Sequence, residues 1–145
     1  MPGEWIRIMF DLKKPTVQML GRWQPWHAGH TELFKKALDK TGQVCIMIRD
    51  VHGVGDNPFD HYEVSSNIQW ALKQQGYEHG IEYMIMQVPN IVDISYGRGV
   101  GYTFTQHDLG EDIHKISATG IREEMRKQGS ITYMPDVRHE DWDEG

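Results

Sequence analysis

The order of hydrophobic and polar positions along the chain predicts strands and amphipathic helices in alternation. Segments of β-type composition at residues 4–10 and 16–20 predict two strands, either as a hairpin or with the first at a sheet edge. Over residues 29–40 the apolar positions recur with a helical period, and Gly42 follows as a helix stop. Residues 43–49 form an almost continuous apolar run, which is typical of a strand buried on both faces of a parallel sheet.

The alternation continues through the middle of the chain. A second amphipathic helix is predicted at residues 62–75, ended by Gly76, and a further strand at residues 81–89. This order of strands and helices favours an α/β fold, because right-handed crossovers between parallel strands place helices against the sheet. We therefore expect a Rossmann-like, doubly wound, mainly parallel sheet with helices on both faces, in a single domain.

The pattern weakens in the last third of the chain. Residues 91–96 are predicted as a strand, and residues 97–104 as a glycine-rich loop. A short helix then follows, with Ser117 at or near its N-cap and Gly129 as its stop.

Composition narrows the class of protein without changing the predicted fold. A chain of 145 residues, 39% hydrophobic and 25% charged, suits one domain with a core at about 16–127 and an acidic tail at 136–145. The single cysteine, Cys45, excludes an intramolecular disulfide and is expected to be a small buried hydrophobe. No apolar run approaches the ~18 residues of a membrane span, so we expect a cytoplasmic protein that contacts no membrane. The net charge of −6 argues against a nucleic-acid partner, so an anionic ligand would need a local site.

The stretch LGRWQPWHAGH (20–30) joins a predicted strand to a predicted helix. A helix N-terminus after a parallel strand offers free N–H groups and the positive end of the helix dipole, which suit a phosphate. Gly21 and Gly29 would let the backbone approach a ligand closely. His27 and His30 would face the same place, where imidazole can donate to phosphate oxygens as charge develops. The alternative is that the two histidines only cap and fill a turn.

A metal site is a further alternative for the two histidines. His27 and His30, three residues apart, can face one ion, and three other histidines could supply a third ligand by residue type: His52, His61 and His107. Neither a cysteine pair nor an H-E-x-x-H motif accompanies them. No metal site is therefore predicted.

The stretch KISATGIREEMR (115–126) is a second candidate anion site. Ser117 and Thr119 offer hydroxyls at a helix start, and Lys115 and Arg122 offer positive charge. The alternative is an ordinary capped surface helix. Two such helix starts in one small acidic domain indicate a polyphosphate held between them.

The glycine-rich stretch YGRGVGY (96–102) is a weaker candidate. It contains no G-x-G-x-x-G, so dinucleotide binding is not predicted. Arg98 is either a phosphate ligand or an exposed turn residue, and Tyr96 and Tyr102 either stack on a ligand or pack.

Together these motifs resemble those of the nucleotidyltransferase superfamily, which carries H-x-G-H after the first strand and a late I-S-x-T-x-x-R. Here they read H-A-G-H at 27–30 and I-S-A-T-G-I-R at 116–122. GRWQPWHAGH is similar to the G-R-F-Q-P-F-H-x-G-H of nicotinamide-mononucleotide-type adenylyltransferases, and NPF at 57–59 is similar to that group too. The segment after the third predicted strand is shorter than in that group. CIMIRDVHGVGDNPF and VPNIVDISYGRGVGY look more like a cytidylyltransferase-like subfamily.

The resemblance implies transfer of AMP or CMP from ATP or CTP to a phosphorylated small molecule, with release of pyrophosphate. It implies Mg²⁺ that arrives with the triphosphate, and it leaves a homo-oligomer open. The implied catalytic residues are His27, His30 and Arg122. The implied nucleotide-binding residues are Gly21, Arg22, Trp23, Gly29, His30, Gly97, Arg98, Gly99, Ser117, Thr119 and Arg122. The acceptor would be bound by Trp23, Arg49, Asp50 and Asn57.

Two other classes of protein stay open. One is a catalytically degenerate domain of the same fold that binds a nucleotide as a sensor, and the other is a zinc-dependent hydrolase. The presence of both histidines, both hydroxyls and Arg122 favours catalysis. The sequence chooses neither the base nor the acceptor.

Overall fold

The computed structural model describes residues 8–99 and 101–131, in which three parallel strands in the order β1-β2-β3 form one sheet. The predicted α/β class is confirmed. The predicted tail at 136–145, and residues 4–7 of the first predicted strand, lie outside the described residues. The elements are β1 (Val17–Gly21), α1 (Ala28–Thr41), β2 (Val44–Arg49), α2 (His61–Gln74), β3 (Tyr83–Val88), α3 (Glu111–His114) and α4 (Ala118–Lys127).

The helix ends follow from their capping residues. Helix α1 stops at Gly42, which adopts φ +86° and donates its N–H to the Leu38 carbonyl at 2.7 Å. Helix α2 begins with a reciprocal capping box between Asp60 and Glu63. Helix α4 begins after Ser117, whose hydroxyl accepts from the Gly120 N–H at 3.0 Å, as predicted.

The core lies on one face of the sheet, where α1 and α2 pack. Val44, Ile46 and Ile48 alternate along β2, and all three are buried in one cluster with Phe34 of α1 and Ile68 of α2. Because alternate side chains of a strand point to opposite faces, both long helices cover the same face. The described residues therefore form a β-α-β-α-β unit with both long helices on one face of the sheet. A doubly wound sheet, with helices on both faces, stays a prediction.

The opposite face of β2 corrects two predictions. Cys45 and Met47 lie on that face and are only half-buried, so β2 is not buried on both faces. The prediction that Cys45 is a small buried hydrophobe is corrected for the same reason to a half-buried one, although partial burial still raises the pKa of its thiol.

Two predicted strands are also corrected. Residues 91–96 form no strand and are mostly exposed, because their alternation has no neighbouring strand or helix to pack against. Residues 8–10 form no strand either; Phe10 only donates its N–H to the Gly80 carbonyl at 2.9 Å. Within the described ranges, no helix combines the length and apolarity needed to cross a membrane.

Candidate functional site

His27 and His30 form an interlocked pair at the start of α1. His27 is the N-cap residue, and its Nδ1 accepts from the Gly29 N–H at 3.0 Å. The His27 N–H in turn donates to Nδ1 of His30 at 3.1 Å. The two rings stack with centroids 3.6 Å apart and planes 19° apart. The capping role is confirmed, and it uses only one nitrogen of each ring, so contact of a ligand with the other nitrogen stays a prediction.

These hydrogen bonds determine which ring nitrogen carries the proton. An Nδ1 that accepts from a backbone N–H has a free lone pair, so each neutral ring carries its proton on Nε2. Burial, with the charges of His27 and Arg22, lowers the pKa of His30 to about 3, and burial also lowers the pKa of His27. No described residue accepts from either Nε2, and neither atom is enclosed. Two neutral N–H donors thus stand side by side at a helix N-terminus.

Two tryptophans hold this pair in place. The ring of Trp23 meets His30 edge-to-face at 4.8 Å, and the ring of Trp26 lies 5.4 Å from it. The indole N–H of Trp23 donates to the Met47 carbonyl at 3.0 Å, and that of Trp26 donates to the Thr31 hydroxyl at 2.9 Å. Each tryptophan is only 6% exposed, so both brace the site from within, and the predicted ligand contact of Trp23 stays untested.

The two glycines of the stretch make room for rings. A Cβ at Gly21 would lie 2.7–2.9 Å from the Trp23 indole, and one at Gly29 would lie 2.8 Å from the His27 ring. Trp23 itself adopts φ +54°, which costs a bulky residue strain that the surrounding packing must hold. In this structure the glycines allow the aromatic and imidazole rings to close on the backbone.

The loop after β1 is joined to the loop after β2 by buried polar pairs. Arg22 donates to Oδ1 of Asn57 at 2.6 Å, and Asn57 is completely buried. Gln24 exchanges two hydrogen bonds with the backbone of Phe59, at 2.9 and 3.0 Å. Arg22 and Asn57, predicted as ligand contacts, therefore contact each other. Gln24 was missed, because its place among polar and aromatic residues of the stretch at 20–30 gave no signal for this role.

Arg122 connects α4 to both loops and is completely buried. Its Nη1 donates to the Gln24 carbonyl at 2.6 Å, its Nε to Asp56 at 3.0 Å, and its Nη2 to the Thr119 hydroxyl at 3.2 Å. The structure thus brings the second motif to the first, as predicted. It uses the guanidinium to hold the loops, and direct contact of Arg122 with phosphates stays a prediction.

Asp56 is the second residue that sequence reasoning missed. It pairs with Arg122 and with Arg126, one helical turn further along α4. Burial alone would raise the pKa of Asp56, but hydrogen bonds from Arg126 and Arg122 outweigh it and the pKa is lowered. A single carboxylate in the loop after β2 therefore pairs with two arginines of α4.

The remaining predicted residues lie at different distances from this centre. Ser117 caps α4 and is exposed, and Ile113 of α3 would lie 3.3 Å from a Cβ at Gly29. Arg49 ends β2 and donates to Asn90 at 2.9 Å, with Asp50 exposed beside it. Among the described residues, no polar contact brings Gly97, Arg98 or Gly99 to the histidines; all three are exposed.

The histidine geometry bears on the metal alternative. In the described part of the chain, no group of three His, Cys, Asp or Glu side chains could hold a metal ion. A zinc-bound histidine coordinates through a lone pair and usually donates its other ring N–H to an acceptor. His27 and His30 have the reverse arrangement, because Nδ1 accepts and Nε2 carries the proton.

No family model matches the chain, and no curated protein sequence matches it.

Proposed function

We propose that the protein is a nucleotidyltransferase that transfers AMP or CMP from ATP or CTP to a phosphorylated small molecule and releases pyrophosphate. The observation that carries this proposal is the pair of Nε2–H donors of His27 and His30 at the N-terminus of α1. Phosphoryl transfer needs little covalent chemistry from the protein, and depends mainly on positioning and on donors aimed at developing charge.

A neutral imidazole keeps a single N–H donor in a fixed direction, which suits this reaction. With a pKa of about 3, His30 stays neutral and keeps one fixed N–H at physiological pH. The stacked rings direct two such groups to the same side, where oxygens of the α- and β-phosphates would lie. The acceptor phosphate would attack the α-phosphorus in line, and pyrophosphate would leave towards the start of α4.

The second motif supports the proposal through its position. Ser117 and Thr119 lie at the start of α4, and Arg122 fastens this helix to the loop that carries the histidines. Mg²⁺ would arrive with the triphosphate, held by phosphate oxygens and water. We extend the β-α-β-α-β unit to a Rossmann-like, doubly wound fold in a cytoplasmic protein, and the homo-oligomer stays open.

The sensor alternative has one observation in its favour. Arg122 is completely buried and donates to Asp56, so the described conformation does not offer the Arg122 guanidinium to the leaving phosphates. A domain that binds a triphosphate without turnover would need only the donors of α1. Calorimetry with ATP and CTP, followed by pyrophosphate release over a panel of phosphorylated acceptors, separates the two; binding without release favours the sensor.

The decisive variant is His30→Asn, with His30→Ala as a second. An asparagine Oδ1 can replace Nδ1 as the acceptor for the His27 N–H, while the Nε2–H is lost. We expect turnover to fall about 10²-fold and stability to change by less than about 1 kcal/mol. Release of pyrophosphate and urea unfolding measure the two quantities.

A matched control is Lys36→Gln, which changes an exposed residue of the same helix and should leave turnover unchanged. Near-full transfer by His30→Asn with a confirmed acceptor would contradict the role of His30. Stoichiometric zinc in the purified protein, found by elemental analysis, would favour the hydrolase instead.

A further inference from the structure

A small cavity lies at the carboxyl end of β2, beside the start of α2. Its volume is about 10 Å³, which is room for about one water molecule or one ligand oxygen. Ile48, Val51, Phe59 and Val64 are its apolar lining residues, and the polar ones are Gln24, Arg49, Asp50, His52, His61 and Gln87.

Two polar atoms in the lining side chains have no hydrogen-bond partner. They are Nε of Arg49 and Nδ1 of His61, the only such enclosed side-chain atoms among the described residues. A buried polar group without a partner costs roughly 1–3 kcal/mol, so each such atom in a folded protein needs an explanation. Here both belong to residues that line the same cavity, which indicates one common partner.

The orientation of Arg49 limits what that partner is. Its Nη2 already donates to Oδ1 of Asn90 at 2.9 Å, which orients the guanidinium, and its enclosed Nε–H is a donor without a partner. His61 is the first residue of α2, where the positive end of the helix dipole favours an incoming negative charge. Among the described residues, Asp50 is the only one with a carboxylate that lines the cavity, and it is exposed to solvent.

We propose that this cavity binds one negatively charged oxygen of a small molecule, from a phosphate or a carboxylate, which accepts from the Nε–H of Arg49 and from His61 in the tautomer that carries its proton on Nδ1. Gln24 lines the cavity and also holds Arg122 through its carbonyl, so the cavity adjoins the proposed triphosphate site. Assigning this oxygen to the acceptor rests on the proposed function. The acceptor would then carry a second anionic group besides the phosphate that attacks.

The Nε–H of Arg49 gives a direct readout by ¹H–¹⁵N nuclear magnetic resonance, assigned by its loss in Arg49→Lys. Inorganic phosphate and sodium acetate are titrated separately, with sodium chloride as the control for ionic strength. We expect a saturable shift with at least one of the two oxyanions and none with chloride. A shift with phosphate alone or acetate alone identifies which oxyanion the cavity prefers.

Two variants of His61 form a matched pair. His61→Phe keeps a ring but removes Nδ1, and we expect it to weaken anion binding about tenfold, as for loss of one hydrogen bond to a charged group. His61→Asn keeps a polar atom at the δ position and should bind within about threefold of the wild type. His30→Asn should leave the Arg49 shift unchanged, because it alters only the triphosphate site.

The inference is overturned if the Arg49 resonance does not move with either oxyanion, which is the result expected for a cavity that holds only water. It is also overturned if His61→Phe and His61→Asn bind alike. If an anion binds at Arg49 but no acceptor of the panel receives a nucleotidyl group, the proposed function is contradicted and the inference is not. If nucleotidyl transfer occurs but no anion binds at Arg49, the inference is contradicted and the proposed function is not.

Discussion

The two helix starts that carry the motifs use their polar groups in opposite ways. At the start of α1, the protein uses Nδ1 of His27 and His30 and leaves both Nε2–H groups available. At the start of α4, the protein engages the guanidinium of Arg122 with Asp56, Thr119 and the loop after β1. The first arrangement is suited to a ligand, whereas the second fixes the position of a helix.

The largest expected effect tests the structural side of this comparison. Arg122→Ala removes the buried donor of the Gln24 carbonyl and leaves Asp56 paired with Arg126 alone, so we expect a loss of about 3 kcal/mol in the free energy of unfolding. Urea unfolding measures this loss. Lys127→Ala, an exposed change on the same helix, should stay within about 0.5 kcal/mol. Equal stability of the two variants would show that Arg122 does not hold the loops.

The next effect tests the neutral state of the histidine pair. The folded-state pKa of His30, about 3, lies below the unfolded value of 6.5, so the unfolded chain takes up the proton first. Stability is therefore complete above pH 6.5 and falls as the pH drops towards 3. We expect a loss of about 2 kcal/mol between pH 6.5 and pH 5. The measurement is urea unfolding across this range, and His30→Asn should flatten the profile.

A smaller loss of stability tests whether Gly21 is needed to make room for the Trp23 indole. Gly21→Ala places a Cβ against the Trp23 indole, so we expect a loss of about 1–2 kcal/mol. Gly97→Ala meets no atom within 4 Å and serves as the control. Thermal unfolding of both variants measures the difference, and an unchanged Gly21→Ala protein would show that Trp23 does not press on the backbone.

The smallest effect on stability is expected at Arg98, where the effect on function is open. Arg98→Gln alters an exposed side chain, so the free energy of unfolding should stay within about 0.5 kcal/mol. If residues 97–99 contact the nucleotide, affinity for the triphosphate falls, since a positive charge is lost. Calorimetry with ATP and CTP measures this, and unchanged affinity removes Arg98 from the predicted binding residues.

Periodicity and capping residues were enough to predict the β-α-β-α-β unit. The predicted stop at Gly42 and the predicted cap at Ser117 are local features, which a linear sequence carries in full. The prediction for residues 91–96 was wrong, because alternation makes a strand only where a neighbour supplies hydrogen bonds.

The candidate site shows where sequence reasoning reached its limit. It identified the histidines and Arg122 by residue type, but it could not tell which protein groups each arginine contacts in the folded chain. Arg22 donates to Asn57, 35 positions away in sequence, and Arg122 donates to Asp56, 66 positions away. Such partners depend on how the loops meet in space, and only the folded chain shows that.

The edge-to-face contact between Trp23 and His30 has an optical consequence. A protonated imidazole quenches the fluorescence of an adjacent indole, and these two ring centroids are 4.8 Å apart. The emission of Trp23 is therefore expected to fall when His30 becomes protonated. It is also expected to change when an anion accepts a hydrogen bond from Nε2–H of His30. The chain thus contains its own fluorophore beside the group whose protonation the proposed chemistry depends on.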